Sequence, residues 1–263
     1  MLTDLQRHEL ATAGVTRVPG VLDRATVGGV EDRCWAQLER RGIQRADPTT
    51  WPSGFLGQNQ GMRQAGVFDA FETELTRGIV DDLLGVGAGA PPVSWAQALV
   101  SFPQPGPWAV THKVWHLDFP GRGDPDADAA VRMFGFVVDV VPEGGGTLVV
   151  EGSHELVRRM VVERGDAGAS RDIRKRLAAR HPWFRMLLSD GDPAARRRAL
   201  MEEGDEIDGV PVRVRELTGQ AGDVVVQRPW TLHAISHHAG DRARIIANHT
   251  TMRIGSTIYA PTA

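Results

Sequence analysis

The chain of 263 residues holds a single cysteine, Cys34, so no disulfide can close within it. Folds that depend on cross-links are excluded, and a reducing, cytoplasmic setting is expected. Cys34 falls in a helical pattern and reads as core filler. No run of about 18 apolar residues occurs, so no membrane-spanning helix is expected. The opening MLTDLQRHELATAG is charged and amphipathic and lacks the apolar region of a signal peptide. An excess of one charge is also lacking. Thirty basic residues against 33 acidic ones give a net charge of −3, which excludes bulk attraction to nucleic acid or an anionic membrane. The one basic cluster, Arg196–Arg197–Arg198, lies in a polar helical stretch and reads as a solvated face. Neither an internal repeat nor a low-complexity segment is present.

What is present is an ordinary globular balance, 41% hydrophobic and 24% charged, enough for one sizeable core. Thr3 and Gln6 form a capping-box pattern and Gly14 a helix stop. VTRVPGVL then reads as a strand, and Asp23 as the cap of a second helix running toward Arg41. Residues 44 to 67 read as loop, and VFDAFETELTRGIVDDLLG as a third helix. Beyond it the pattern changes. VSWAQALVSF, THKVWHLDF, VRMFGFVVDVV, TLVVEG, VPVRVREL, GDVVVQR and RIIANHTTM are short, β-branched segments parted by Gly, Pro and Asp. They predict a mainly β, α+β domain spanning 1–263, a sandwich or jelly roll behind an N-terminal helical layer. Residues 155 to 208 interrupt the strands with charged, helical sequence. An insertion of that length is expected to be a lid, a dimer surface or a decoration.

The segment VWHLDFP places His116 and Asp118 two residues apart in apolar surroundings. On a strand such residues share a face, and burying both is costly unless something pairs with them. A divalent metal would. His233, in GDVVVQRPWTLHAISHH, is the best third ligand. Two histidines and one carboxylate make the facial set of non-haem Fe(II) oxygenases, which leaves positions open for oxygen and a cosubstrate. Arg244, eleven residues beyond His233, would return to the same cavity on an antiparallel strand. Buried there it needs an anion, and a carboxylate of 2-oxoglutarate suits it.

Together these motifs resemble the phytanoyl-CoA dioxygenase-like family of Fe(II)/2-oxoglutarate oxygenases. LTDLQRHELATAGVTRVPGVLDRATVGGV is similar to the family's opening, WHLD to its His-x-Asp, and VVDVVPEGGGTLVVEGSH to its Gly-Ser-His stretch. AGDVVVQRPWTLHA is similar to its distal histidine strand and DRARIIANHT to its cosubstrate arginine. The resemblance implies a double-stranded β-helix, a cupin-like jelly roll, using Fe(II), 2-oxoglutarate and O2. It implies loss of CO2 to give succinate and, most simply, hydroxylation of a C–H bond in a small organic molecule. Desaturation, epimerisation and ring closure are variants. The presence of Asp118 argues against halogenation. Thr147, Lys113 and Gln97 are further candidates for contacting the cosubstrate.

Other readings stand beside this one. A protein of the same fold could bind metal and 2-oxoglutarate without turnover. His112, His116 and Asp118 on one strand face could instead hold zinc for a hydrolase, but nothing then explains Arg244. His154–Glu155 lacks the second histidine of a zinc-protease helix, since Arg158 stands there, and His154 reads as a turn residue. Asp124, Asp126 and Asp128 lack the glycine and glutamate of a calcium loop. Gly144–Gly145–Gly146 is a turn rather than a phosphate loop. His237, His238 and His249 read as surface groups or as supports for the ligands. Trp115 and Trp230 either wall the pocket or fill core. The expected partner is a small molecule, with neither nucleic acid nor membrane, and the insertion offers a surface through which two copies could pair.

Overall fold

The computed structural model describes residues 1–57, 59–91, 95, 97–125 and 128–256. Helix α1 (Asp4–Ala13) opens on the expected capping box. Gln6 N–H donates to Thr3 Oγ1, and Gln6 Oε1 accepts from Thr3 N–H. Gly14 ends it in the left-handed region at φ 81°, where a side chain would be strained. Strand β1 (Val15–Val18) follows, and Asp23 caps α2 (Arg24–Glu39) by accepting Thr26 N–H. Cys34 is buried on α2, as core filler should be.

The segments that follow differ from expectation in two details. The loop over 44–67 contains β2 (Gly54–Leu56) and a short helix, α3 (Gln60–Gln64). The helix expected over 67–85 is shorter: α4 spans Glu74–Leu84. Thr73 and Thr76 exchange hydroxyl–amide hydrogen bonds and fix the start there, leaving 69–71 as a separate 3-10 turn.

The strands then come in chain order: β3 (Gln97–Phe102), β4 (Gly121–Arg122), β5 (Ala130–Phe136) and β6 (Leu148–Glu151). Helix α5 (Ser153–Arg164), β7 (Asp166–Gly168), α6 (Ser170–Arg180), α7 (Pro182–Leu188) and α8 (Pro193–Arg197) make up most of the insertion. Strands β8 (Asp205–Ile207), β9 (Val210–Glu216), β10 (Val224–Gln227), β11 (His233–Ala234) and β12 (Arg244–Met252) complete the order. The result is a mixed α/β architecture built on antiparallel sheets. One sheet runs β1-β10-β5-β12-β3-β2, the other β11-β6-β9-β8, and β4 pairs with β7.

Alternation along each strand sorts the faces. Val100, Met133, Val224 and Ile245 pack outward from the six-stranded sheet against Val30, Leu38 and Ile79 of the N-terminal helices. Phe134, Phe136, Val225 and Ile246 point the other way and meet Val149 of the four-stranded sheet. The space between the sheets is therefore the interior that any internal site must use.

The insertion is not a lid over that space. Its Ile173, Leu177, Phe184 and Leu187 are buried against Leu148, Val150, Val212 and Val214, on the outer face of the four-stranded sheet. His154, expected in a turn, lies in α5 and is 4% exposed. Arg196, expected on a solvated face, is 5% exposed. Its guanidinium donates to the carbonyls of Met186, Leu187, Ser189, Val110 and Thr111. Carbonyls at the end of α7 and in the segment leading to His116 need donors, and meeting them outweighs the gain from hydrating one arginine. Among the described residues, no helix is long and apolar enough to cross a membrane.

Candidate metal centre

His116 and His233 face each other across an antiparallel bridge that widens the four-stranded sheet at the edge β11. His116 N–H donates to His233 O at 2.8 Å, and His233 N–H to His116 O at 3.0 Å. Their rings lie 4.3 Å apart between centroids. Asp118 completes the group. Its Oδ2 is 3.2 Å from His233 Nε2, and its Oδ1 is 3.8 Å from His116 Nε2. One ligand atom from each of the three lies within 4.8 Å of the other two. The site is closed further by Arg132 of β5, whose Nη1 meets Asp118 Oδ2.

The donor set fits a divalent metal. His116 Nδ1 lies 2.8 Å from Val114 O, and His233 Nδ1 lies 3.0 Å from Thr231 O. Each Nδ1 must carry the proton to make that bond, which leaves both Nε2 lone pairs directed at Asp118. A backbone carbonyl behind a ligating histidine is the usual device for fixing this tautomer. Burial pushes the His116 imidazole down to about 4, helped by the neighbouring His233. Burial beside the Arg132 charge pushes His233 down to about 3. Both rings are neutral near pH 7, as ligation requires.

Each histidine follows a backbone residue in the left-handed region. Val114 has φ 56° and Trp230 has φ 65°. Such residues are uncommon outside glycine and persist only where surroundings enforce them. The enforcing contacts are visible. Gly14 O accepts from Arg228 N–H and from Thr231 Oγ1, while Leu232 N–H donates to Ser153 Oγ. Ser170 Oγ of α6 accepts Leu117 N–H, between the first two ligands. Trp115 and Trp230 are core residues whose indole N–H groups donate to Thr111 O and Pro120 O.

Arg244 is 3% exposed and lies on the inner face of β12 with Ile246. Its Nε donates to Ser101 Oγ at 2.8 Å. His238 Nδ1 is 3.4 Å from the same hydroxyl. Burial lowers the Arg244 pKa to about 10, and Glu216 opposes the shift. The Glu216 carboxylate accepts N–H groups of Glu143 and Gly146, and burial pushes its pKa up. Arg244 thus keeps its charge in a dry place, ready for an anion.

Of the other candidates, Thr147 is buried next to Gly146 and so near Glu216. Gln97 shares a strand face with Ser101, but it is exposed at the start of β3. Lys113 is also exposed. It lines a cleft of about 490 Å³ with His112, Val114, Asp190, Ile235 and His237. None of the three ligands lines that cleft, but Val114 and Ile235, each two residues from a ligand histidine, do. His238 and His249 prove buried rather than superficial. Asp126 lies outside the described residues, while Asp128 pairs with Arg228. Sequence reasoning missed Arg132, Ser101, Ser153 and Ser170. For Arg132 a signal was present, since it interrupts the apolar VRMFGF.

No family model matches the chain, and no curated protein matches it either. Solved structures do. The carbocyclase SnoK from nogalamycin biosynthesis, described as non-haem and α-ketoglutarate-dependent, aligns over 97% of this chain and 85% of its own, at TM-score 0.56 and 17% identity. The non-haem monooxygenase ThoJ gives 0.58 and 15% identity over 98% of this chain and 80% of its own. AviO1 from Streptomyces viridochromogenes gives 0.55 and 15%, covering 97% and 98%. The chain has the fold of these enzymes. Identities this low speak for the fold alone.

Proposed function

We propose that the protein is an Fe(II)- and 2-oxoglutarate-dependent oxygenase acting on a small organic molecule, with hydroxylation the simplest outcome. The two sheets then correspond to the halves of a double-stranded β-helix, with the metal at the mouth and Arg244 deeper inside. The single observation that carries this reading is the triad: two neutral imidazoles and one carboxylate converge, each with its second polar atom already engaged. A closed structural zinc site would offer four such donors. Three donors leave coordination positions free, as a reaction with oxygen needs. Similar structures point the same way: the epimerase SnoN, at 17% identity and TM-score 0.53, is described in complex with Fe3+, α-ketoglutarate and nogalamycin RO.

In this reading His116, Asp118 and His233 would hold the iron. The iron with 2-oxoglutarate would supply the oxidising power. The chain's own task is placement. Arg244, set by Ser101, would hold the distal carboxylate, with Thr147 beside it. Lys113 and Gln97 are weaker candidates because both are exposed. The substrate would enter by the cleft at Val114 and Ile235, whose lining mixes cationic, anionic and apolar groups and so suits a polar small molecule. SnoK and SnoN, described as a carbocyclase and an epimerase, make ring closure and epimerisation the natural alternatives to hydroxylation.

Anaerobic Fe(II) and 2-oxoglutarate added together should give a visible charge-transfer absorbance that neither gives alone. Its absence would remove the proposal. Arg244→Ala should weaken 2-oxoglutarate binding by about 2 kcal/mol, the scale of a lost charge-assisted pair. Unchanged affinity would take Arg244 out of the site.

A further inference from the structure

A guanidinium taken out of water needs acceptors in place of its hydration. The insertion holds four arginines that are buried or half-buried: Arg158, Arg174, Arg176 and Arg196. Three of them are met. Arg158 pairs with Glu155, Arg176 donates to Ala167 O, and Arg196 donates to several carbonyls. Arg174 is the exception. Among the described residues it has neither an ion pair nor a hydrogen bond, and its Nε is shut away from solvent without a partner.

Its place in the fold gives this meaning. Ser170 begins α6, and its Oγ accepts Leu117 N–H at 2.9 Å, between the first two ligands. Arg174 lies one turn further on, so it shares the helix face that Ser170 lays against the ligand segment. Ile173, beside it, packs into the same core as Leu117 and Phe119 and fixes the rotation of the helix. Burial first, and then the charges of its neighbours, push the His116 imidazole down to about 4, and Arg174 is one of those neighbours. His116 is also where the metal group opens. Its side chain is 43% exposed, against 22% for Asp118 and 5% for His233. The carboxylate of the group, Asp118, already faces Arg132, and Asp172 on α6 lies by Arg171. A cation without an anion of its own thus stands beside the most open of the three ligands.

We propose that Arg174 is an anchor for the organic substrate: its guanidinium binds a carboxylate or phosphate carried by that molecule and so sets which C–H bond lies next to the metal. This assignment rests on the oxygenase reading above and deepens it by naming the substrate class, a small organic anion. A planar fork of donors suits either oxyanion. The cosubstrate has a separate partner in that reading, because Arg244 lies on the inner face of β12 whereas Arg174 comes from a helix outside the sheets. The insertion then supplies the side chain that reads the substrate as well as a brace for the ligands.

The test uses the Mn(II)-loaded protein, freed of unbound metal and saturated with 2-oxoglutarate. Manganese broadens the magnetic resonance lines of a molecule bound near it and leaves distant ones sharp. The probes are benzoate, phenylphosphonate and, as the uncharged match, benzamide. Wild-type protein should broaden at least one of the two anions, and benzamide at least fivefold less. Which anion responds tells a carboxylate site from a phosphate site. Arg174→Gln should lose fivefold or more of that broadening, and Arg174→Lys should recover part of it, since it keeps the charge without the fork. Arg171→Gln, on the exposed side of α6, should match the wild type. Should Arg174→Gln fail to fold or to bind metal, Arg174→Lys carries the test through its own twofold or larger loss. Sharp lines for both anions with the wild type, benzamide broadened as much as benzoate, or wild-type broadening in the Arg174 variants would each overturn the assignment. The Fe(II) charge-transfer band reads 2-oxoglutarate affinity separately, and Arg174→Gln should leave that affinity within twofold. A loss there as large as the loss for the anion would put Arg174 in the cosubstrate site and overturn the assignment too. A wild-type protein without the band sinks the 2-oxoglutarate reading itself, which keeps the two failures distinct.

Discussion

The two ends of the interior are built by opposite means. Arg244 begins a nine-residue strand that pairs with β3 on one side and β5 on the other. Its position follows from regular pleating, and no residue of β12 has a left-handed backbone. The metal end has almost no regular structure. His116 belongs to an isolated bridge, β11 is two residues long, and Val114 and Trp230 have left-handed backbones. A pleated strand places side chains in rows, which suits one anchor for a linear anion. Three ligands converging on one point need backbone that turns between them, and turning backbone loses its ladder partners. The missing order is supplied from outside the sheets. Ser170 and Arg196 of the insertion grip the segment from Val110 to Leu117, while Ser153 and Gly14 grip the turn before His233. The insertion therefore works as a buttress for the metal ligands.

The sharpest way to break this comparison is to remove a brace without touching a ligand. Arg196→Ala strands several buried carbonyls and should cost about 3 kcal/mol or more in stability. Metal affinity should fall with it, because Val110 and Thr111 lead directly into the His116 segment. Arg197→Ala, next in sequence but exposed in a pair with Glu143, should stay within about 0.5 kcal/mol. Denaturant titration alongside Co(II) binding reads both effects. Equal costs for the two variants would mean that the insertion merely decorates the sheet.

How much of this was legible beforehand divides along the same line. Strands with alternating burial, such as VPVRVREL and RIIANHTTM, announce themselves, because pleating writes a period of two into the sequence. The ligand residues were legible from chemistry, since His, Asp and His in apolar runs demand a partner. Arg132 carries the same signal within VRMFGF and could have been found by the same argument. Lys113 could not be placed from sequence. THKVWHLDF predicts a continuous strand, and the left-handed turn at Val114 breaks the alternation just after Lys113. Arg196 misled for a related reason. A polar helix with three arginines looks solvated until tertiary structure delivers unpaired carbonyls to one of them. The buried Ser101–His238 pair joins residues 137 apart in the chain and leaves no local pattern.

A smaller effect tests the brace from the other side. His154 donates its Nε2 proton to Ala11 O, and burial holds its pKa down at about 4. In the unfolded chain the ring titrates near 6.5, so the unfolded state binds the proton first on acidification. The stability that the neutral ring secures is complete above pH 6.5 and is lost as pH falls through about 4. The limit is about 3 kcal/mol. His154→Gln keeps an N–H donor and removes the titration. Melting temperatures measured from pH 7 down to pH 4 should therefore fall less steeply for the variant. Parallel curves would clear His154 of any part in acid sensitivity.

The subtlest prediction concerns the strain itself. Val114 is 56% exposed, so Val114→Gly loses little buried surface. At φ 56° a β-branched residue costs about 1–2 kcal/mol, whereas glycine costs about 0.5–1 kcal/mol in unfolded-state entropy. The variant should therefore be slightly more stable, by about 0.5 kcal/mol. Yet Val114 O orients the His116 ring, and a looser segment holds that ring less firmly, so metal affinity should drop a few-fold. Ala247→Gly, in the middle of β12, should do the reverse. It should destabilise by about 1 kcal/mol and leave metal affinity untouched, because a regular strand stores no strain to release. Opposite signs in stability for the same glycine would place stored strain at Val114, beside the first ligand. A loss of stability in both would mean that Val114 is comfortable where it is, and that the metal end is shaped by its contacts alone.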